Sequence, residues 1–245
     1  MYKLLHGDCL ELMNKIPGKS IDMILCDLPY GTTQCKWDNI IPFDPLWEIY
    51  KKIIKDNGCI ALFSSQPFTS FLIMSNPKMY KYEWIWQKTR PTGHLNAKKM
   101  PMKAHENIEI FYKKPPIYNP QMTHGHKRKV SKVNYTKEPN GMSCYGKEVR
   151  ITSYDSTDRY PLDVQIFSNM EQSKKLHPTQ KPVALLEYLI KTYTNEGELV
   201  LDNCMGSGST GIACINTNRN FIGMELDDKY FNIAKERIEK ANSEV

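Results

Sequence analysis

Apolar positions along this chain fall in short bursts whose period switches between two and about 3.6. Tyr2 to His6 reads as a strand ending at Gly7-Asp8, with helical spacing from there through Met13. Ser20 to Cys26 is a second strand, stopped by Asp27. Leu46, Ile49 and Ile53 share one face of a helix expected over Phe43 to Asp56; Gly58 punctuates it, and the unbroken apolar run Cys59 to Phe63 reads as a strand buried on both faces. Pro67 to Ser75 is a further helix, and Tyr82 to Gln87 and Asn107 to Tyr112 are strands joined by the basic, glycine-containing loop Lys88 to Lys103. Between Pro115 and Lys175 the periodicity fades into Pro, Gly, Asn, Ser, Thr, Tyr and basic residues. Order returns with a helix at Pro182 to Thr194, a strand at Glu198 to Asp202, a glycine-rich turn, a helix to about Thr217, a strand at Asn220 to Glu225 and a helix from Asp228 to about Asn242. Strands alternating with helices predict an α/β fold with a mostly parallel sheet.

Polar residues add a second pattern: four of these strands run into an acid, at Asp8, Asp27, Asp202 and Glu225. Any one of them suits a turn or a helix cap, but four at the strand ends of a parallel sheet gather along its carboxyl edge, where such sheets bind ligands. Asp202-Asn-Cys-Met-Gly-Ser-Gly-Ser-Thr-Gly211 follows a strand and opens a helix, so its glycines let a ligand approach the backbone and the helix start supplies free N–H groups. Gly206, Gly208 and Gly211 satisfy G-x-G-x-x-G, and Glu225 stands at the spacing of roughly 20 residues at which an acid grips ribose hydroxyls. An NAD-dependent oxidoreductase fits those residues too. Only 20 residues follow Glu225, however, so the rest of such a sheet has to come from the N-terminal half. The expected organisation is one doubly wound, Rossmann-like sheet in circularly permuted order, with 1–114 and 176–245 as its halves and 115–175 as an insert.

Charge sharpens the insert's role. The net charge is +6, but 113–175 carries +6 and 88–103 carries +5, leaving −5 on the remainder. A basic middle on an acidic body is the footprint of a polyanion, although a solvated charged face has the same composition. The seven cysteines form no Cys-x-x-Cys pair, which suits reduced thiols better than disulfides or zinc, with Cys26 and Cys59 expected to be buried. No metal is expected: His124-Gly-His126 lacks the accompanying thiols or carboxylates and, beside Lys127-Arg-Lys129, suits a phosphate-facing loop. Tyr118, Tyr135, Tyr145, Tyr154 and Tyr160 could stack on bases or form a small core, the core being the simpler reading for each. No apolar run approaches the ~20 residues of a membrane span, and the Met1 to His6 start has no signal-peptide pattern.

Asp27-Leu-Pro-Tyr30, taken with the permuted order and the glycine loop, resembles the amino-methyltransferases that methylate exocyclic nitrogens of DNA bases with S-adenosylmethionine. In that family the tetrapeptide is Asp or Asn, Pro, Pro, then Tyr or Phe for adenine N6, and Ser commonly leads it for cytosine N4; here Leu28 stands in place of the first proline. The resemblance implies that the Asp27 carboxylate and the Leu28 carbonyl accept the two amino hydrogens, that Pro29 fixes the backbone and that Tyr30 stacks on a base flipped out of the duplex. It likewise implies a cofactor set. Asp8 would accept from the cofactor's adenine amino group, Cys9 would contribute backbone, and Thr179, Gln180 and Lys181 of Leu176-His-Pro-Thr-Gln-Lys-Pro182 would lie near the methionine end, Lys181 at its carboxylate. Asp202, Gly206, Gly208, Ser209, Thr210 and Glu225 complete it, and Gly208→Val is expected to block the backbone's approach to the ligand. His105, in Lys103 to Lys113, is expected to pack rather than react. The expectation is a site-specific DNA adenine-N6 methyltransferase on double-stranded DNA, in the cytoplasm of a prokaryote or phage-infected cell, with a homodimer and a companion restriction enzyme left open. The alternatives are cytosine-N4 methylation, RNA or protein-amide methylation, and a catalytically idle DNA-binding protein.

Overall fold

The computed structural model describes residues 1–32, 38–133, 152–169 and 180–244; Thr179, Tyr135 and Tyr145 lie outside the described residues. The chain divides into two compact units, 1–119 with 163–245, and 120–162.

The larger unit is built on eight strands: β1 (Tyr2–His6), β2 (Ile21–Cys26), β3 (Ile54–Ser64), β4 (Tyr80–Thr92), β5 (Lys103–Phe111), β8 (Val164–Phe167), β9 (Leu199–Asp202) and β10 (Asn220–Glu225). They lie in the order β1-β10-β9-β2-β3-β5-β4-β8. β5 alone runs against its neighbours, pairing antiparallel with β3 and β4, while every other pairing in this sheet is parallel. The sheet is therefore mostly parallel and permuted, as the sequence predicts. Its order reverses between β9 and β2: from β2 the chain moves to β3, and from β9 it moves the other way to β10. A crevice opens at such a reversal because the crossing helices part to opposite faces.

Side chains alternate across the strands and fill two cores. Met23, Leu25, Ala61 and Phe63 face α4 (Val183–Tyr193), α5 (Ser209–Asn216) and α6 (Asp228–Ser243). Ile24, Cys26, Ile60 and Leu62 face α1 (Cys9–Met13), α2 (Phe43–Ile53) and α3 (Phe68–Ser75). Cys26 and Cys59 are both buried. With both faces covered, β2 and β3 need no polar face, hence their near-continuous apolar runs.

Three elements depart from the pattern-based expectation. α2 stops at Ile53, and Ile54 is already extended, so the tail of the expected helix is strand. Asp56, Asn57 and Gly58 are poor helix formers, and a register shift between Ile21 and Met23 accommodates them. β4 continues past Gln87 to Thr92, where it pairs with Lys103 across a hairpin. β8, inside the expected 115–175 insert, adds to the sheet beside β4; four residues with an alternating, half-exposed pattern give little periodic signal.

The smaller unit contains the antiparallel pair β6 (Lys129–Val133) and β7 (Thr152–Ser156). The Arg128 guanidinium donates to both Asp155 oxygens at 2.7 Å. His124 Nδ1 lies 2.9 Å from Asp158 Oδ1 and His126 Nε2 lies 2.7 Å from Thr123 Oγ1, so each imidazole has its own partner. Among the described residues no group of three or more His, Cys, Asp or Glu could hold a metal.

Candidate active site

A cavity of about 390 Å³ sits at the reversal point of the sheet, lined by the loops that leave β1, β2, β9 and β10. It brings together Asp8, Cys9, Asp27, Leu28, Pro29, Tyr30, Gln180, Lys181, Asp202, Gly206, Ser209, Thr210 and Glu225. Of the sequence-predicted set, Thr179 is outside the described residues and Gly208 lies behind the wall.

β2 delivers Asp27 to the cavity wall. Tyr30 Oη donates to Asp27 Oδ1 at 2.7 Å, and its ring stacks on Phe68 of α3 with centroids 5.0 Å apart. Leu28, between them, is only 3% exposed and packs into the α2/α3 core. The side chain that replaces the family's first proline thus anchors the turn by burial. Beyond Tyr30, the N–H groups of Gly31 and Thr32 donate to the two Asp38 oxygens at 2.8 and 3.0 Å, closing the loop on itself.

Lys181 enters from the segment before α4. Its Nζ lies 2.5 Å from Asp27 Oδ2 and 3.2 Å from Glu106 Oε2. Glu106, near the start of β5, takes Lys88 of β4 on its other oxygen at 2.5 Å. The sequence-based expectation placed Lys181 at a cofactor carboxylate; the structure places its ammonium between two protein carboxylates. Neither Glu106 nor Lys88 was singled out from the sequence. Burial pushes the Asp27 carboxyl up, with Lys181 as the largest opposing influence. Burial also acts to raise Glu106, but Lys181 and Lys88 outweigh it and hold that carboxyl at about 2.

The glycine loop lines the same cavity. Asp202 Oδ1 accepts from Cys204 N at 3.1 Å and Oδ2 from Thr210 Oγ1 at 2.6 Å, which ties the loop's start to the first turn of α5. Burial raises the Asp202 carboxyl to about 6. Glu225 accepts from Gly206 N at 2.9 Å on one oxygen and from Leu226 and Asp227 N, each at 2.9 Å, on the other. Asp8 caps α1, accepting from Leu10 N at 2.7 Å and Glu11 N at 3.3 Å. Gln180 Oε1 accepts from Ser207 Oγ at 3.2 Å, and Arg237 of α6, which the sequence gave no reason to select, donates to the Ser207 carbonyl.

Gly208 has a structural role as well. It has φ +79°, and a Cβ there would come within 3.0 Å of Ala234 Cβ and Ile238 Cδ1. Its missing side chain serves the turn and the seating of α5 on α6, so Gly208→Val tests the fold before it tests the pocket.

A mostly parallel sheet whose order reverses at a cavity shared by a glycine loop and an Asp-x-Pro-Tyr turn defines the ligand-binding class of doubly wound α/β proteins. The chain belongs to the DNA methylase family (N6_N4_Mtase), which it matches over residues 21–236. It is 28% identical to the type II methyltransferase M.HpaI of Haemophilus parainfluenzae, over 97% of this chain and 74% of that one. It is 27% identical to the DNA adenine methyltransferase YhdJ of Escherichia coli, over 98% of this chain and 83% of that one. Among solved structures, the crystal structure of the M1.HpyAVI complex with S-adenosylmethionine superposes with a TM-score of 0.65 at 25% identity, covering 97% of this chain and 99% of the other.

Proposed function

We propose that this protein transfers a methyl group from S-adenosylmethionine to the N6 amino group of an adenine flipped out of double-stranded DNA. The observation that carries the reading is the Asp27 carboxylate, braced at the end of β2 by Tyr30 on one oxygen and Lys181 on the other, in one cavity with the glycine loop.

The acceptors present suit the cofactor. Asp8 and Glu225, at the ends of β1 and β10, offer carboxylates to amino and hydroxyl groups of a nucleoside, and Asp202 would add negative charge to the wall that a sulfonium would meet. The bound cofactor supplies an electrophilic methyl carbon. Asp202 and Thr210 hold the loop's shape, while Gly206 and Ser209 line the wall. Lys181 is already held by two carboxylates and stands outside the cofactor set.

An exocyclic amino nitrogen is conjugated into its ring and is a poor nucleophile. Each Asp27 oxygen has a second lone pair besides the one used by Tyr30 or Lys181, so the carboxylate can accept an amino hydrogen while the Leu28 carbonyl takes the other. The nitrogen lone pair is then freed to form the new N–C bond, for which the cofactor's S–CH₃ bond would break, and Asp27 is placed to accept the proton that leaves the amino group. Holding both reactants in attack geometry removes much of the barrier. Tyr30, backed by Phe68, offers the base a flat face.

For the duplex itself we assign the smaller unit, with its basic surroundings, to target recognition, and the β4–β5 hairpin to DNA contact. That hairpin reaches past the end of β3, carries five basic residues and no acid over 88–103, and exposes Leu95, Met100 and Met102 near its tip. Asp at the head of the tetrapeptide favours adenine over cytosine. Sequencing DNA from a methylation-deficient host expressing the protein, with detection of modified bases, is expected to show N6-methyladenine in one short motif. N4-methylcytosine, or unmodified DNA despite folded protein, would overturn the assignment.

A further inference from the structure

Resting on that reading of Asp27, we infer that Lys181 and Glu106 are positioning residues for methyl transfer: Glu106, anchored by Lys88, clamps Lys181 against Asp27 so that the carboxylate stays charged and turned toward the methyl acceptor. Four charged side chains of alternating sign run from the cavity into the protein, Asp27 to Lys181 at 2.5 Å, Lys181 to Glu106 at 3.2 Å and Glu106 to Lys88 at 2.5 Å. Lys181 and Lys88 are each only 8% exposed and Glu106 16%. They come from the end of β2, the segment before α4, the start of β5 and the far part of β4. Only the reversed direction of β5 brings its first residues to the edge where the parallel strands end. A buried set like this sums to zero charge, and deleting one member leaves an uncompensated ion, which is far more harmful than replacing a pair.

The other groups around Asp27 do not substitute for Lys181. Tyr30 on the same turn, Cys26 before it on β2 and Asp202 on β9 are acids, and Glu106 carries the same sign as Asp27. Lys88 reaches Glu106 and not Asp27. Lys181 is therefore, among the described residues, the cation in contact with Asp27. Without it, burial and the Glu106 charge together would drive the carboxyl upward toward its proton-bound form, which carries no charge and can no longer take up the amino proton.

The test reads Asp27 directly. With ¹³C-labelled aspartate carboxyls, the Asp27 resonance is assigned by its loss in Asp27→Asn and titrated in cofactor-free protein. In Lys181→Met its midpoint should rise by roughly one pH unit or more, since an opposite charge within hydrogen-bond distance is worth one to three units. Lys181→Arg should stay near wild type. Lys181→Met with Glu106→Gln should return part of the way, because both the helping and the opposing charge are gone; a merely structural role would make the double variant worse than the single one. The acid limb of the single-turnover methylation profile should follow the same order, with calorimetric affinity for S-adenosylmethionine unchanged. An unmoved Asp27 midpoint in Lys181→Met, or lost cofactor affinity with an unmoved midpoint, overturns the clamp. Absence of methyl transfer by the wild type would sink the proposed function instead, and the titration would still decide on Lys181.

Discussion

Tyr30 works in two directions at once: its ring rests on Phe68 and its hydroxyl on Asp27. The two roles separate by substitution. Tyr30→Phe keeps the stack and loses one donor to the carboxylate, and should slow methyl transfer by less than about tenfold. Tyr30→Ala removes the surface for the base and should cost on the order of a hundredfold, partly restored by a mismatch at the target that lowers the unpairing cost. Asp27→Asn keeps the shape but sets an amide NH₂ donor facing the amino hydrogens. Turnover should fall by roughly 10²–10³ or more, the scale seen when one preorganised electrostatic contact is lost, while calorimetry shows cofactor affinity near wild type. At this scale the sequence was most informative about residues that end a strand. Asp8, Asp27, Asp202 and Glu225 interrupt apolar runs, and the runs themselves tell which edge they share. Glu106 and Lys88 were illegible because their role exists only through Lys181, 75 and 93 residues further on, and nothing local in Lys103 to Lys113 signals a partner so distant.

Among elements, α5 depends on how closely it seats against α6 and β10. A Cβ on Gly211 would lie 2.5 Å from Ile238 Cδ1 and 2.9 Å from Phe221 Cε1, so Gly211→Ala should destabilise the protein by about 1–3 kcal/mol through overpacking, read as a lower urea midpoint. β5 carries a different liability. Glu109 is fully buried, with Ser64 Oγ donating to it at 2.9 Å and Glu83 opposite on β4. Burial, then the nearby Glu83 charge, raise its carboxyl to about 7. The unfolded chain releases that proton near pH 4.3, so between about 4.5 and 7 the folded protein binds more protons than the unfolded one. Stability should therefore decline as pH rises through that window. Glu109→Gln should flatten the decline and be the more stable form at pH 8, by something on the order of 1–3 kcal/mol; parallel curves of urea midpoint against pH would refute it. The helices and long strands of the larger unit were readable because their apolar periods are strong. β8 and the first residues of β3 were not, since Val164–Phe167 is short and half exposed, and Lys55 to Gly58 fall in the irregularity between the Ile21–Ile54 and Met23–Cys59 pairs, beside a 2.5 Å ion pair between Lys55 and Asp22.

For the whole molecule, charge is unevenly divided, +5 on 88–103 and +6 on 113–175 against an acidic remainder. DNA affinity should fall with salt by a log-log slope of roughly 0.9 per phosphate contact, with cofactor affinity indifferent to it. Lys98→Gln with Lys99→Gln, and separately Lys127→Gln with Lys129→Gln, should each reduce that slope by up to about 2. Arg128 is left out because its guanidinium is already bound to Asp155. A pair whose removal leaves the slope unchanged is a solvated face. The sheet order carries one last consequence, for the protein's birth. β1 has β10 as its neighbour, and the inner edge of β2 is filled by β9, so β1 and β2 leave the ribosome well before the strands that cover their edges. Roughly 170 residues separate β2 from β9; at 5–20 residues per second that is on the order of ten seconds or more during which an apolar strand edge stands open. Nascent chains of this protein should therefore be obligate customers of whatever shields strand edges during translation, and yield of soluble protein should respond to the speed of elongation more than to the stability of the finished fold.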